Sequence, residues 1–190
     1  MLAWLGMYTL DVTILKLLHS TSTPWLDHLA VAITQLGGAV FITVVVALLA
    51  IGLLTRRQTG AALTLILTVG GAGILTIGLK LLFQRGRPSL WDVLTVETTY
   101  SFPSGHAVAS SALGFALIIL LWRTRWRTLS LAIGTGYIIA VGLTRMYLGV
   151  HFPSDVFAGW LISLGWALLV YWGVRKLSRG LAAPANTKKL

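Results

Sequence analysis

The sequence predicts an all-α protein, a polytopic bundle of membrane-spanning helices. Hydrophobic residues make up 56% of the 190-residue chain and charged residues 11%, where a soluble domain carries roughly 25% charged. The mean hydropathy is +0.84. The apolar residues fall into uncharged runs of about 17 to 25, the length a helix needs to cross a bilayer.

Five runs qualify in chain order. The first lies within 29–55. The second covers 58–79 and ends at Lys80. The third covers 107–122 and extends back to Ser104. The fourth covers 128–144 and ends at Arg145, and the fifth covers 156–174. Each is apolar all round, unlike an amphipathic surface helix. The first 36 residues fit less simply, because Asp11 and Lys16 interrupt an apolar segment and Ser22 to Pro24 reads as a helix start. They form either one or two interfacial helices on the outer face, held by Trp4 and Trp25, or a reduced first span. The N-terminus has no basic stretch and no small-residue cleavage site, so it does not read as a cleavable leader. Residues 1–180 are expected to form one membrane-embedded domain, and 181–190 a loose cytoplasmic tail.

Charge sets the expected orientation. The segment 55–58 holds Arg56 and Arg57. The segment 123–127 holds Arg123, Arg125 and Arg127. The C-terminal tail holds Arg175, Lys176, Arg179, Lys188 and Lys189. Together they carry ten of the fifteen basic residues and no acid. With five spans they share one side, which the positive-inside rule makes cytoplasmic. The net charge of +10 is thus mainly a matter of topology, and no soluble basic face points to nucleic acid. The absence of cysteine excludes disulfides, thiolate nucleophiles and Cys-ligated metal sites.

Three polar stretches remain, all at the outer ends of the spans. "KLLFQRGRPS" holds Lys80, Arg85 and Arg87. "SFPSGHA" holds Ser104, Gly105 and His106. "TRMYLGVHFPSD" holds Arg145, His151 and Asp155. Ionisable groups at membrane depth are expensive and read first as functional. Lys80, Arg87 and Arg145 are cations with few acids near them, so an anion completes the set. Ser104 and Gly105 open the third span, and a helix start offers free N–H groups and its dipole to phosphate. The i, i+4 spacing of His151 and Asp155 lets the carboxylate meet one ring nitrogen, leaving the other as a nucleophile. His106 is then placed to protonate a leaving oxygen.

These stretches resemble the three-part signature of the type-2 phosphatidic acid phosphatase family, relatives of the vanadium haloperoxidases. K-x6-R-P reads Lys80…Arg87-Pro88, P-S-G-H reads Pro103 to His106, and S-R-x5-H-x3-D reads Thr144-Arg145…His151…Asp155, with threonine where the family has serine. The resemblance implies a helical membrane bundle, usually of six spans, that hydrolyses lipid phosphates. It implies a phosphohistidine on His151, orientation by Asp155, leaving-group protonation by His106, and phosphate held by Lys80, Arg87, Ser104, Gly105 and Arg145. It implies no metal and no cofactor. Small bacterial members often act on undecaprenyl diphosphate, with phosphatidylglycerophosphate and phosphatidate as rival substrates. A plasma-membrane location with the site facing outward follows, with no nucleic acid and no obligate protein partner. A second class stays open, a binding or transport protein that uses the cations alone.

Other residues carry plainer expectations. Arg85 reads as interfacial, with contact to substrate phosphate as the alternative, Glu97 as solvated, with a place facing the substrate as the alternative, and His19 and His28 as surface residues. Thr34, Gln35, the glycines of 70–73, Gly78, Ser110, Ser111, Ala112 and Gly114 read as helix packing. Trp91, Trp122, Trp126 and Trp172 read as interface residues.

Overall fold

The computed structural model describes residues 2–95 and 97–182. Among them lie seven helices: α1 (Leu2–His19), α2 (Pro24–Gln35), α3 (Ala39–Thr55), α4 (Thr59–Phe83), α5 (Gly105–Leu121), α6 (Arg127–Tyr147) and α7 (Pro153–Ala182). By length and composition α4, α6 and α7 suffice to cross a membrane. α2 and α3 do so as a pair bent by 44°, and α5 is a shorter apolar helix. A helix thus lies at each of the five expected spans, and four of them, with the bent pair taken as one, are long and apolar enough to cross. The expected tail begins later, since 181–182 continue α7, and 183–190 lie outside the described residues, as do the side chains of Trp4 and Arg179.

The first span departs from expectation. It is not continuous, because Gly37 and Gly38 separate α2 from α3. A Cβ on Gly37 would meet Val141 Cγ1 at 2.5 Å and His106 Cβ at 3.3 Å. Val141 of α6, with the start of α5 behind it, therefore occupies the room that a side chain there would need. The break frees the Leu36 carbonyl, which accepts from the Tyr137 hydroxyl at 2.6 Å. A polar partner of this kind is required of an opened helix at membrane depth. α2, assigned to an N-terminal segment by sequence, is thus half of a bent span.

α5 is the central helix and packs most heavily on α6, α7 and α4. Small residues allow this. Ser110, Ser111, Ala112 and Gly114 are all buried. A Cβ on Gly114 would meet Ile138 Cδ1 at 2.8 Å, and one on Gly134 would meet Ile118 at 3.0 Å. Gly142 faces the Trp160 ring and Gly71 the Trp166 ring, each too closely for any side chain. Gly70, Gly73 and Gly78 do not share this role, since a Cβ on them meets nothing within 4 Å. Trp166 also donates to the Leu67 carbonyl at 3.0 Å, and Ser163 to the Val108 carbonyl at 3.0 Å.

α1 lies against α6 and α7. Its Leu15 is fully buried in a cluster with Ala107, Met146, Phe152 and Val156. Trp122, Trp126 and Trp172 are exposed, as interface residues should be. Trp91 is not one of them. It stacks on the His19 ring at 4.0 Å and covers Gly149, whose φ of +68° suits glycine.

Packing at the glycines generates a paired prediction. Gly142→Val should lower stability by about 1–3 kcal/mol, the usual cost of overpacking. Gly73→Ala should stay within about 0.5 kcal/mol of the parent. Thermal unfolding of the detergent-solubilised variants reads both.

Candidate active site

The segments that follow α4, precede α5 and join α6 to α7 meet at one end of the bundle. They bring Lys80, Arg87, Arg145, His151 and Asp155 together with residues the sequence did not single out. All five acids of the chain (Asp11, Asp27, Asp92, Glu97 and Asp155) lie at this end. The arginine-bearing connections after α3 and α5 lie at the other.

His151 sits in the turn between α6 and α7 and is almost wholly buried. Its Nε2 lies 3.2 Å from Arg87 Nη1, and guanidinium nitrogens only donate. Nε2 is therefore the lone-pair nitrogen and Nδ1 carries the proton. Burial pushes the imidazole down to about 4, against a smaller upward pull from Asp155, so the ring is neutral near pH 7. Nδ1 stands 3.6 Å from Asp155 Oδ2, which is an electrostatic contact and too long for a hydrogen bond. The direct bond expected from the i, i+4 spacing is thus replaced. Ser101 Oγ lies 3.4 Å from Nδ1 and donates a short bond to the same Oδ2.

Asp155 is fully buried. Oδ2 also accepts from the Phe152 N–H at 3.0 Å, and Oδ1 accepts from Arg85 Nη1 at 2.5 Å. Arg85 is accordingly a partner of the site rather than an interfacial residue. Its second nitrogen reaches Asp11 on α1 at 2.9 Å.

The cations are held by backbone and by one acid. Lys80 Nζ donates to the Tyr100 carbonyl. Arg87 donates to the Thr99 carbonyl at 2.7 Å and the Val150 carbonyl at 2.8 Å. Arg145 is 1% exposed, donates to Thr34 Oγ1 at 2.8 Å, and pairs with Glu97. Glu97 also stands 3.6 Å from Arg87. Burial alone would raise the Glu97 carboxyl, but Arg145 and Arg87 hold it below the usual carboxylate range. Glu97 is thus a site residue, not a solvated charge, and Thr34 binds Arg145 besides packing. Gln35 is exposed. Among the described residues, Arg145 Nε–H meets no acceptor although it is buried. A buried donor without a partner costs about 1–3 kcal/mol.

The start of α5 completes the group. Ser104 is buried, and its hydroxyl accepts from the Ala107 N–H at 3.5 Å, so it serves as the helix cap. Gly105 opens onto free space, with nothing within 4 Å of a Cβ position. His106 sits in the first turn against Gly37 and Gly38, within electrostatic reach of Arg145, Glu97, Arg87 and Lys80. Thr144 bonds back to the Val141 carbonyl at 2.7 Å, so its exchange for serine leaves the site unaltered.

A cavity of about 560 Å³ opens beside Lys80, Arg85 and Arg87, and Ile77 and Leu81 form its apolar wall. Both of these side chains are exposed on α4. A larger cavity of about 710 Å³ lies at the opposite end between α4, α5 and α7 and holds none of the motif residues.

Comparison with known proteins agrees with this picture. The chain is 30% identical to phosphatidylglycerophosphatase B of Bacillus subtilis over 146 residues, 74% of this chain and 71% of that protein. It is 31% identical to an undecaprenyl-diphosphatase of Sulfolobus acidocaldarius over 157 residues, 80% of this chain and 72% of that one. The crystal structure of a transmembrane PAP2-type phosphatidylglycerolphosphate phosphatase from Bacillus subtilis superposes with a TM-score of 0.79 at 25% identity, covering 97% of this chain and 90% of that one. The family model described as the PAP2 superfamily matches residues 61–179, a stretch that holds all three motifs, and the chain belongs to that superfamily.

Proposed function

We propose that this protein is an integral membrane phosphatase that removes the terminal phosphate of a lipid phosphate or diphosphate. The observation that carries the reading is His151, a buried neutral imidazole. Its lone-pair Nε2 is turned to Arg87 at 3.2 Å, beside Arg145, which keeps an unpaired N–H. A binding or transport site would need the cations but not a nucleophile with a carboxylate behind it.

The proposed reaction has two displacements. Phosphate oxygens replace the acceptors of Lys80, Arg87 and Arg145 and receive the N–H groups at the start of α5 from Gly105 onward, while the Ser104 N–H keeps the Asp155 carbonyl. His151 Nε2 attacks phosphorus and the bond to the leaving oxygen breaks. His106 gives that oxygen its proton. Asp155, with Ser101, stabilises the charge that develops on the His151 ring. Such hydrogen bonds often tighten only when substrate is bound. Water then gives a proton to His106, attacks phosphorus, and releases phosphate while restoring His151.

The 560 Å³ cavity supports a lipid substrate, because its Ile77 and Leu81 wall faces the bilayer while Lys80 and Arg87 stand at its polar end. A tail can lie along α4 with its phosphate at the cations. Undecaprenyl diphosphate is the substrate we favour. The likeness to phosphatidylglycerophosphate phosphatases in sequence and structure makes that lipid the second candidate, ahead of phosphatidate. We read residues 1–180 as a single unit for this activity.

Detergent-purified protein in EDTA should release phosphate from at least one of these lipids, and His151→Ala should release none. Asp155→Asn should lower kcat by about 10²–10⁴-fold, the range seen when a catalytic histidine loses its orienting acid, while substrate binding is retained. A protein that binds the lipids and is unaffected by Asp155→Asn would be a carrier instead.

The orientation we propose, with the basic connections in the cytoplasm and the site outside, is supported by the positive-inside rule. Since the chain has no cysteine, single introduced thiols report it. In intact cells a membrane-impermeant maleimide should label Asp92→Cys and not Thr124→Cys, and the reverse pattern would invert the topology.

A further inference from the structure

Arg85 lies outside the three motifs, and its guanidinium is divided between two buried carboxylates. Nη1 donates to Asp155 Oδ1 at 2.5 Å and to Ser154 Oγ at 2.7 Å, and Nη2 donates to Asp11 Oδ2 at 2.9 Å. The same guanidinium lies 4.2 Å above the Phe152 ring. Asp11 belongs to α1 and is 3% exposed, close to the 0% of Asp155. Its remaining bonds go to the start of α7, where it accepts from the Ser154 N–H at 2.9 Å and the Ser154 hydroxyl at 2.5 Å. The acid that interrupts the apolar N-terminal segment thus has every one of these partners within, or bonded to, the segment that carries Asp155.

The electrostatics give this arrangement a consequence. Arg85 meets Oδ1 of Asp155, while His151 and Ser101 face Oδ2. An arginine with Asp155 as its only counter-charge would draw the carboxylate toward itself and away from the imidazole. Asp11 divides the pull of Arg85 and, through Ser154, fixes the first turn of α7 from which Asp155 projects. Resting on the phosphatase reading above, we infer that Asp11 is a positioning residue for the reaction. It acts through Arg85 and Ser154 to hold Asp155 behind His151, and α1 is thereby part of the catalytic assembly.

Asp11 bonds none of Lys80, Arg87 or Arg145, so its effect falls on turnover rather than substrate affinity. Asp11→Asn keeps the shape and an acceptor for the Ser154 N–H but removes the charge. It should lower kcat about tenfold, the scale of a lost outer-shell partner, with KM within about twofold of the parent. In an Arg85→Ala background the same substitution should cost nothing further, because coupled residues are not additive. An unchanged kcat, a loss carried by KM, or an equal tenfold loss in both backgrounds would overturn the inference. Should Asp11→Asn not yield a monodisperse protein, Asp11→Glu, which keeps the charge but displaces it by one methylene, passes through the same cycle with the same expectation. A parent that turns over none of the lipids overturns the phosphatase reading and this inference with it. A parent that does so, with His151→Ala inactive and Asp11→Asn unchanged, overturns the inference alone.

Discussion

A carboxylate taken wholly out of water costs several kcal/mol unless donors meet its oxygens, and Asp155 is met on both. Arg85 holds Oδ1, while Ser101 and the Phe152 N–H hold Oδ2. Those three partners come from the segment after α4, the approach to α5 and the turn before α7. The buried charge therefore draws three separate stretches of chain to one place, and it fixes where His151 must stand. The Ser104 N–H, which donates to the Asp155 backbone carbonyl at 3.2 Å, ties the start of α5 to the same residue.

The cations pose the opposite problem. Lys80, Arg87 and Arg145 crowd one end of a bundle that offers them backbone carbonyls, two threonine hydroxyls and a single glutamate. That set leaves the group positive and leaves one buried N–H unanswered. The neutral state of His151 belongs to the same balance, since burial and neighbouring cations disfavour an imidazolium. An anionic substrate reverses part of that field as it arrives, which favours the charge that develops on the ring during attack. The helix break at Gly37 and Gly38 serves this geometry. It lets the start of α5, with His106, sit against the turn between α2 and α3, while Thr34 on the last turn of α2 reaches Arg145.

Much of this was legible in the sequence, for definable reasons. Runs of apolar residues reveal spans because the bilayer sets their length, and α4, α5 and α6 follow them closely. The three motifs each lie within a short stretch, so Lys80, Arg87, His106, Arg145, His151 and Asp155 could be read directly. What was not legible depends on partners far apart in the chain. Arg85 and Asp11 are 74 positions apart, Thr34 and Arg145 are 111 apart, and Glu97 and Arg145 are 48 apart. No local pattern marks such pairs. Asp11 did leave a trace, as an unexplained charge in an apolar helix, and so did Ser101, which opens the stretch that ends in His106. The adjacent glycines at 37 and 38 drew no reading of their own, because nothing in the local sequence shows that α5 starts against them.

The central claim is that phosphate passes through the Nε2 of His151. The most direct test is to mix the protein with a lipid phosphate under turnover, quench in base, where phosphohistidine survives, and map the modified residue by mass spectrometry. The account predicts a phosphate on His151 that is absent from His151→Ala and that decays as inorganic phosphate appears. Turnover with no phosphorylated intermediate, or with phosphate on another residue, would contradict it.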